Sequence, residues 1–124
     1  MNAMHPLVSV VDDDESVRES LPDLLREFGF RAEAFSSAEE FLASDWMDET
    51  KCLILDVAMP GMTGPELQQE LIRRGHPIPI VFITALKDDA VRPRLIERGA
   101  VDCLFKPFSD AALQEALGSA LQPN

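Results

Sequence analysis

Several residue types are scarce in this chain of 124 residues, and each shortage excludes a class of protein. The sequence has no tyrosine, one tryptophan and two cysteines, and its 11 Lys and Arg residues stand against 22 Asp and Glu residues, for a net charge of −11. Nucleic-acid phosphates are bound through clustered Lys and Arg. A chain this acidic is therefore not expected to bind nucleic acid directly.

Long apolar runs are also absent. No segment approaches the ~20 consecutive apolar residues of a membrane span, and residues 1–7 lack the basic start and apolar core of a secretory signal. We therefore expect a cytoplasmic protein without a membrane partner. Cys52 and Cys103 lie in separate apolar runs, without CxxC spacing or a nearby histidine cluster. This placement predicts two buried free thiols rather than a disulfide or a zinc site.

The sequence does contain a regular apolar pattern, with 46% hydrophobic residues. This content and the chain length predict one folded domain over residues 1–124 rather than a disordered acidic segment. Five short runs have the length and β-branched content of strands. They are residues 7–11, 32–35, 52–55, 78–83 and 101–105.

Helical patterns alternate with these strands. Apolar residues from Val17 to Phe28 share one helical face, and Ser37 with Glu40 matches a capping box. Pro65 suits a first helical residue, and Ser109 suits the cap of a last helix. Apolar strands that alternate with helices imply a parallel sheet covered on both faces by right-handed crossovers. The predicted fold is a doubly wound α/β sandwich.

Two prolines interrupt the helical patterns. A proline in a helix interior removes a backbone donor and clashes with the preceding turn, so Pro22 and Pro93 are each predicted to kink a helix or delay its start. We expect the fourth helix to begin near Arg92, with Pro93 in its first turn and residues 87–91 irregular.

Polar side chains fall at the carboxyl ends of four predicted strands, which meet at one edge of a parallel sheet, where open α/β sheets bind ligands. Close carboxylates repel one another unless a cation lies among them, and an all-oxygen site suits Mg²⁺. A lysine and a hydroxyl opposite the metal would bind a phosphoryl group, with a carboxylate available for in-line attack to give an acyl phosphate. The residues are Asp12, Asp13, Asp14, Asp56, Thr84 and Lys106.

The three consecutive aspartates need not share one role. An aspartate after a strand commonly caps the next helix, so Asp14, with Glu15 and Ser16, is expected to cap the first helix or to be solvated. Capping does not explain Asp56, because residues 57–63 form a loop before the next helix.

Four motifs in this order resemble the receiver (CheY-like) family of two-component response regulators, over almost the whole chain from Leu7 to Leu121. The residues around Asp56 and Lys106 are most similar to receivers of FixJ/NarL-type transcriptional regulators. The motifs are residues 10–14 with Val17-Arg18, residues 53–64, residues 83–85 and residues 99–108.

The resemblance implies a flavodoxin-like (βα)5 three-layer sandwich with a five-stranded parallel sheet of order 2-1-3-4-5. It also implies a signalling switch rather than a conventional enzyme, which catalyses its own phosphoryl transfer from a sensor histidine kinase and slow hydrolysis of the aspartyl phosphate. The output would be control of transcription through an effector domain or partner. A face made of the fourth helix, fifth strand and fifth helix would change, and a phosphorylation-dependent homodimer could form there.

Site roles follow from the same resemblance, residue by residue. Asp56 resembles the phosphoacceptor, Asp13 and Asp56 the direct ligands of Mg²⁺ (or Mn²⁺), Asp12 the acid that holds a metal-bound water, and Ala58 a backbone carbonyl ligand. Thr84 resembles the switch hydroxyl and Lys106 the cation that pairs with the phosphoryl group. The Lys106–Pro107 peptide bond is expected to be cis.

One position departs from the family pattern. The usual switch aromatic lies three residues before the lysine, where this chain has Cys103. A thiol cannot fill the volume of a ring, so we hypothesise weakened or rerouted coupling between Thr84 and the output face, with Phe105 or Phe82 as a substitute.

A phosphatase of the haloacid-dehalogenase type is the alternative, because residues 12–14 contain an Asp-x-Asp after the first strand. Its nucleophile would be Asp12, and an acidic pair on a further strand should follow Lys106. Only Asp110 and Glu115 follow, both on the predicted last helix. A third interpretation, a binding-only pseudo-receiver, should lack Asp56, Thr84 or Lys106, and all three are present.

Overall fold

Five strands alternate with five α-helices over residues 5–122, the part of the chain that the computed structural model describes. The strands are β1 (Leu7–Val11), β2 (Arg31–Phe35), β3 (Thr50–Asp56), β4 (Ile80–Thr84) and β5 (Asp102–Phe105). The helices are α1 (Glu15–Glu27), α2 (Ala38–Leu42), α3 (Gly64–Arg73), α4 (Val91–Glu97) and α5 (Asp110–Ala120), and a 3-10 turn (Met47–Glu49) precedes β3. The ends of the predicted domain, residues 1–4 and 123–124, lie outside the described residues.

All neighbouring strands are parallel, and their order is β2-β1-β3-β4-β5, which confirms the predicted topology. The register pairs Val11 with Leu55, Asp56 with Ile83 and Thr84 with Phe105. This register brings the carboxyl ends of β1, β3, β4 and β5 to one edge of the sheet, where the polar residues lie.

Two apolar cores cover the two faces of the sheet. Buried residues of α1 and α5, such as Leu25 and Leu117, pack on one face. Phe41 of α2, Leu67 of α3 and Leu95 of α4 pack on the other. Each fully buried side chain of this size stabilises the fold by about 1.5–3 kcal/mol relative to exposure. The arrangement confirms the three-layer sandwich.

The start of β3 differs from the sequence prediction because of a buried hydroxyl chain. The predicted strand begins at Cys52, whereas β3 begins at Thr50. The Thr50 hydroxyl donates to the Trp46 carbonyl at 2.8 Å and accepts from the hydroxyl of Ser9, a buried residue of β1, at 2.7 Å. These bonds satisfy polar groups at the amino end of the strand, so the strand extends beyond its apolar run.

The other strand boundaries shift by one or two residues. The strand β4 begins at Ile80 rather than at Ile78, because Pro79 has no N–H for the ladder, although its carbonyl accepts from Leu53 N at 2.9 Å. Strand β2 starts one residue earlier than predicted, at Arg31, and β5 one residue later, at Asp102.

The two prolines behave differently. Helix α4 begins at Val91 with Pro93 in its first turn, which confirms the predicted start near Arg92. Residues 87–90 form no helix, as predicted, but Val91, expected to be irregular, is already helical. Helix α1 starts at Glu15 and continues through Pro22, so a delayed start is wrong. Pro22 is buried, so the burial of its apolar ring opposes the cost of the missing hydrogen bond.

Helix caps agree with the sequence in part. The Asp14 carboxylate accepts from Ser16 N, and the Ser109 hydroxyl accepts from Ala112 N, so both predicted caps are confirmed. Ser37 also caps its helix, but the Glu40 carboxylate accepts from Ser36 N rather than completing a reciprocal box. A complete box forms instead between Thr63 and Glu66, so Gly64 rather than Pro65 is the first residue of α3.

Both cysteines are buried and free, as predicted. Burial raises the pKa of Cys52 to about 12, and burial together with the Asp102 charge raises the pKa of Cys103 to about 11. Among residues 5–122, no helix has the length and apolar character needed to cross a bilayer.

The first turn of α3 packs unusually closely on the end of β3. A Cβ atom at Gly64 would lie 2.3 Å from the Asp56 carbonyl oxygen and 3.0 Å from the Phe82 ring. Gly64 N also donates to the Val57 carbonyl at 3.0 Å. Only glycine permits this approach, so Gly64 sets how near α3 lies to Asp56.

We expect Gly64→Ala to lower the free energy of unfolding by about 1–3 kcal/mol, the usual cost of overpacking. The matched control is Gly118→Ala in α5, where an added Cβ meets nothing within 4 Å. That control should raise stability by about 0.5–1 kcal/mol, since alanine favours a helix more than glycine does. Urea unfolding followed by circular dichroism measures both, and equal effects would contradict the packing argument.

Candidate functional site

An acidic cluster lies at the carboxyl ends of β1 and β3. Asp12 and Asp13 directly follow β1, and Asp56 is the last residue of β3. Each of the three residues offers a carboxylate oxygen, and these oxygens lie within 4.8 Å of one another. Asp12 and Asp56 are buried, whereas Asp13 is exposed. The cluster therefore opens to solvent on the side of Asp13.

Lys106, which follows the edge strand β5, neutralises part of this charge. Its ammonium Nζ lies 2.9 Å from Oδ2 of Asp12, whose Oδ1 accepts from Asp14 N at 2.9 Å. Burial of the ammonium opposes protonation, but the hydrogen bond and charge of Asp12, with the charge of Asp56, outweigh burial and raise the pKa of Lys106. The lysine therefore stays cationic at neutral pH.

The Asp56 carboxyl has the most perturbed environment of the site. Burial, followed by the charge of Asp12, raises its pKa from the ordinary 3.8 to about 7, and the charge of Lys106 opposes the shift. A cation placed among the three carboxylates would favour the ionised form. Asp56 is thus poised to change its charge when a cation binds.

Thr84 and Lys106 continue the polar edge beyond the acidic cluster. Thr84, the buried last residue of β4, accepts a hydrogen bond at its hydroxyl oxygen from Leu86 N at 2.9 Å. Its carbonyl accepts from Lys106 N at 2.8 Å, which holds the residue after β5 beside the end of β4. The Lys106–Pro107 peptide bond is cis.

Two other predicted residues lie in the loops around the cluster. Ala58 lies two residues after Asp56, exposed in the β3–α3 loop. Asp14 caps α1 through Ser16, and the hydrogen bonds from Ser16 lower the pKa of Asp14. Asp14 is therefore engaged with the helix.

Cys103 lies in the core rather than in the acidic cluster. It is almost fully buried in β5, paired with Phe82, in the core shared with α3 and α4. The Phe82 ring is fully buried against the start of α3, so it is fixed in place. Phe105 is only half-buried and pairs with Thr84. Of the two candidate substitutes for the missing aromatic, Phe105 has more freedom to move.

Two residues of the site region were not assigned a role from the sequence. Arg18 of α1 donates from Nη1 to the Asp12 carbonyl at 3.0 Å, and Gly64 touches the Asp56 carbonyl. The Thr63-x-x-Glu66 spacing signals the helix start beside Gly64, but no local pattern reveals that Arg18 reaches back to Asp12.

The donor set of the cluster fits a hard divalent cation. Its ligands are carboxylate oxygens, which Mg²⁺ and Mn²⁺ prefer, and their mutual repulsion is relieved by a bound cation. Around it, the edge carries one ammonium and one hydroxyl, suited to the oxygens of a phosphoryl group.

Comparison with known proteins agrees with this geometry. Residues 8–118 match the family model described as response regulator receiver domain. The chain belongs to the response regulator receiver family. Receivers are signalling switches rather than classical enzymes, and they bind Mg²⁺ at an acidic pocket.

Individual relatives match over nearly the whole of this receiver. Nodulation protein W of Bradyrhizobium diazoefficiens is 46% identical over 116 residues, which cover 94% of this chain and 51% of the relative. Response regulator protein TmoT of Ectopseudomonas mendocina is 40% identical, over 98% of this chain and 56% of the relative. The chain therefore spans about half the length of the curated relatives it matches.

Solved structures of response regulators are also similar to this chain, in sequence and in fold. The response regulator StyR is 47% identical with a TM-score of 0.86, covering 95% of this receiver and 60% of that chain. The structure FixJ-N is 35% identical with a TM-score of 0.84, and the match covers 100% of this receiver and 98% of that chain. These matches leave the phosphatase interpretation without support.

The raised pKa of Asp56 predicts a pH-dependent stability. A folded-state pKa above the unfolded value stabilises the fold fully below pH ~4, and this contribution is lost as pH rises through about 7. Without divalent cations, we expect the wild-type free energy of unfolding to fall between pH 4 and pH 8. The Asp56→Asn variant has no carboxyl group to ionise, so its free energy of unfolding should fall less with pH and exceed that of the wild type at pH 8 by up to about 4 kcal/mol.

Urea unfolding at a series of pH values measures this difference. The control is Asp45→Asn, which removes an exposed carboxylate of the loop after α2. Its profile should run parallel to that of the wild type. Parallel profiles for Asp56→Asn would show instead that Asp56 carries no pH-dependent penalty.

Proposed function

We propose that residues 1–124 form one receiver domain that accepts a phosphoryl group on Asp56, with Mg²⁺ or Mn²⁺ held by the cluster. The observation that carries the proposal is the position of Asp56, at the end of a central strand within 4.8 Å of two further carboxylates, at an edge also lined by Lys106 and Thr84. The family match over residues 8–118 supports it.

Asp13 and Asp56 would bind the cation directly, Asp12 would hold one of its waters, and Ala58 would offer its carbonyl. Bound there, Mg²⁺ supplies charge neutralisation for the phosphoryl oxygens. An Asp56 oxygen bonds to phosphorus as the P–N bond of a kinase phosphohistidine breaks, and the imidazole leaves with the electron pair. Lys106, which now pairs with Asp12, faces the incoming phosphoryl oxygens with its remaining donors.

Thr84 links this chemistry to the rest of the fold. Its hydroxyl oxygen accepts from Leu86 N, at the start of the β4–α4 loop. We infer that the Thr84 side chain turns so that its hydroxyl donates to the phosphoryl group. This movement breaks the hydrogen bond from Leu86 N, which anchors the loop. Leu86 is exposed, so the loop can rearrange without opening the core.

The proposed output face consists of α4, β5 and α5. Cys103 lies under it and is too small to act as the moving aromatic, so we assign coupling to Phe105, beside Thr84 in the sheet register. The exposed Ile96 on α4 would contribute apolar surface to a phosphorylation-dependent homodimer.

A sensor histidine kinase is the proposed donor. Such a kinase is itself phosphorylated from ATP, which places the exchange in the cytoplasm. Relatives include the transcriptional regulatory protein TdiR of Thauera aromatica, 39% identical over 94% of this chain. We therefore propose control of transcription, through an effector region or partner, as the output.

Phosphorylation can be tested with acetyl phosphate as the donor. We expect the intact mass to increase by one phosphoryl group only with Mg²⁺, and the group to be labile to hydroxylamine. Asp56→Asn should abolish the gain, whereas the matched control Asp14→Asn should keep it, because Asp14 serves the α1 cap.

Two further results would decide the assignment. A mass gain that survives Asp56→Asn but not Asp12→Asn would contradict the proposal and favour the phosphatase chemistry. Consumption of acetyl phosphate that depends on Asp56 would reveal a phosphoryl group too short-lived to detect by mass.

Coupling through Phe105 gives a separate expectation. With acetyl phosphate and Mg²⁺, amide NMR signals of α4 and β5 should shift in the wild type, and Phe105→Ala should reduce these shifts while Asp56 is still phosphorylated. Phe30→Ala, a half-buried aromatic before β2, is the control and should retain them. Undiminished shifts in Phe105→Ala would assign the coupling elsewhere.

A further inference from the structure

Arg18 touches the acidic cluster through the backbone rather than through a carboxylate. It lies half-buried in the first turns of α1, and its Nη1 donates to the Asp12 carbonyl oxygen at 3.0 Å. That carbonyl lies just past the end of β1, where the chain leaves the strand ladder. Its partner is therefore a side chain from the helix that follows.

The Asp12–Asp13 peptide joins two carboxylates of the cluster, so its orientation sets where the Asp13 carboxylate lies relative to that of Asp12. Asp12 N donates to the Phe35 carbonyl at 3.1 Å, which fixes the preceding peptide. Arg18 fixes the carbonyl of the next one. A change in the Asp12 ψ angle that turned this carbonyl away from Arg18 would redirect the chain at Asp13, and with it the Asp13 carboxylate that belongs to the cluster.

Arg18 is itself held in place. Its backbone N–H donates to the Asp14 carbonyl at 3.2 Å, and Asp14 caps the same helix through Ser16. The guanidinium therefore connects the start of α1 back to the residue two positions before the cap. The three consecutive aspartates are thus enclosed in a short loop that Arg18 closes.

We propose that Arg18 is a positioning residue for the divalent cation, which it serves by fixing the Asp12–Asp13 peptide so that both carboxylates face Asp56. The inference rests on the proposed function, since it assumes that the cluster binds Mg²⁺. Residues that support metal ligands commonly change metal affinity by about 10–100-fold when replaced.

Charge and position predict opposite effects at this residue. A guanidinium near a cation site repels the metal, so its removal would strengthen Mg²⁺ binding if charge alone mattered. Loss of positioning would weaken binding. The sign of the change therefore separates the two roles.

The test compares Arg18→Met with Arg26→Met. Arg26 lies on the same helix and donates from Nη2 to the Ala32 carbonyl at 3.0 Å. Both variants remove one positive charge and one arginine-to-carbonyl bond, and both keep an apolar stem. Arg26→Met also removes an exposed ion pair between Arg26 Nη1 and Asp23 Oδ1, which lies outside the acidic cluster. MgCl₂ titrations followed by amide NMR give the dissociation constant, and urea unfolding gives the stability of each variant.

We expect Arg18→Met to weaken Mg²⁺ binding by about tenfold and Arg26→Met to leave it unchanged. In the metal-free proteins, Arg18→Met should also shift the Asp13 amide signal, whereas Arg26→Met should not. Binding by Arg18→Met that equals or exceeds wild type would overturn the proposal. Failure of the wild type to bind Mg²⁺ would overturn the proposed function instead, and the cation role of Arg18 with it.

Arg18→Lys decides the question should Arg18→Met not fold. Lysine keeps the positive charge but is shorter and lacks the forked donors of arginine. A purely electrostatic role predicts wild-type affinity for Arg18→Lys, which would contradict the proposal. A positioning role predicts weaker binding at similar stability.

Discussion

The ion pair between Asp12 and Lys106 is the interaction on which the site depends. Carboxylates gathered at the end of a buried sheet repel one another, and burial adds to the cost of their charge. Lys106 follows β5 and Asp12 follows β1, so the pair reaches over the ends of β3 and β4 that lie between them. Asp56 and Thr84 end these two strands. The same contact therefore offsets the acidic charge and encloses the reacting residues.

Much of this arrangement follows from the sequence, because a parallel sheet places all carboxyl strand ends at one edge. The alternation of apolar runs and helical patterns fixes the layers, and polar residues at the run ends then identify the site. Strand boundaries are less predictable where tertiary contacts override local pattern. Thr50 joins β3 through its hydroxyl bonds to Ser9 and Trp46, and Pro79 shortens β4 by lacking a donor.

The details within the site could not be read from the sequence, because they join residues far apart in the chain. The Asp12–Lys106 pair spans 94 positions, and local spacing gives no sign of which aspartate the lysine selects. The close approach of Gly64 to the Asp56 carbonyl depends equally on how α3 packs on β3. Propensity and periodicity describe single elements, whereas these contacts depend on the angle between elements.

The elements around Cys103 differ in how firmly they are held. Helix α4 has seven residues, no side-chain cap and one buried side chain, Leu95. Arg92 of α4 forms an ion pair with the sheet, because its guanidinium donates two hydrogen bonds to Oδ1 of Asp102. The same oxygen also accepts from Cys103 N. Short helices with few buried contacts are the parts of a fold that rearrange at least cost. A small thiol under α4 leaves this ion pair as a main constraint on its position.

The hydroxyl chain at the start of β3 has a consequence for spectroscopy. Trp46, the single tryptophan of a chain without tyrosine, is tied through its carbonyl to Thr50 at the amino end of β3. Asp56 lies at the other end of that strand, about 20 Å away at 3.3 Å per residue. We therefore expect intrinsic fluorescence to report the packing beside Trp46 rather than events at the acidic edge. A fluorescent reporter of switching would have to be introduced elsewhere, and Trp46 would remain an internal reference for folding.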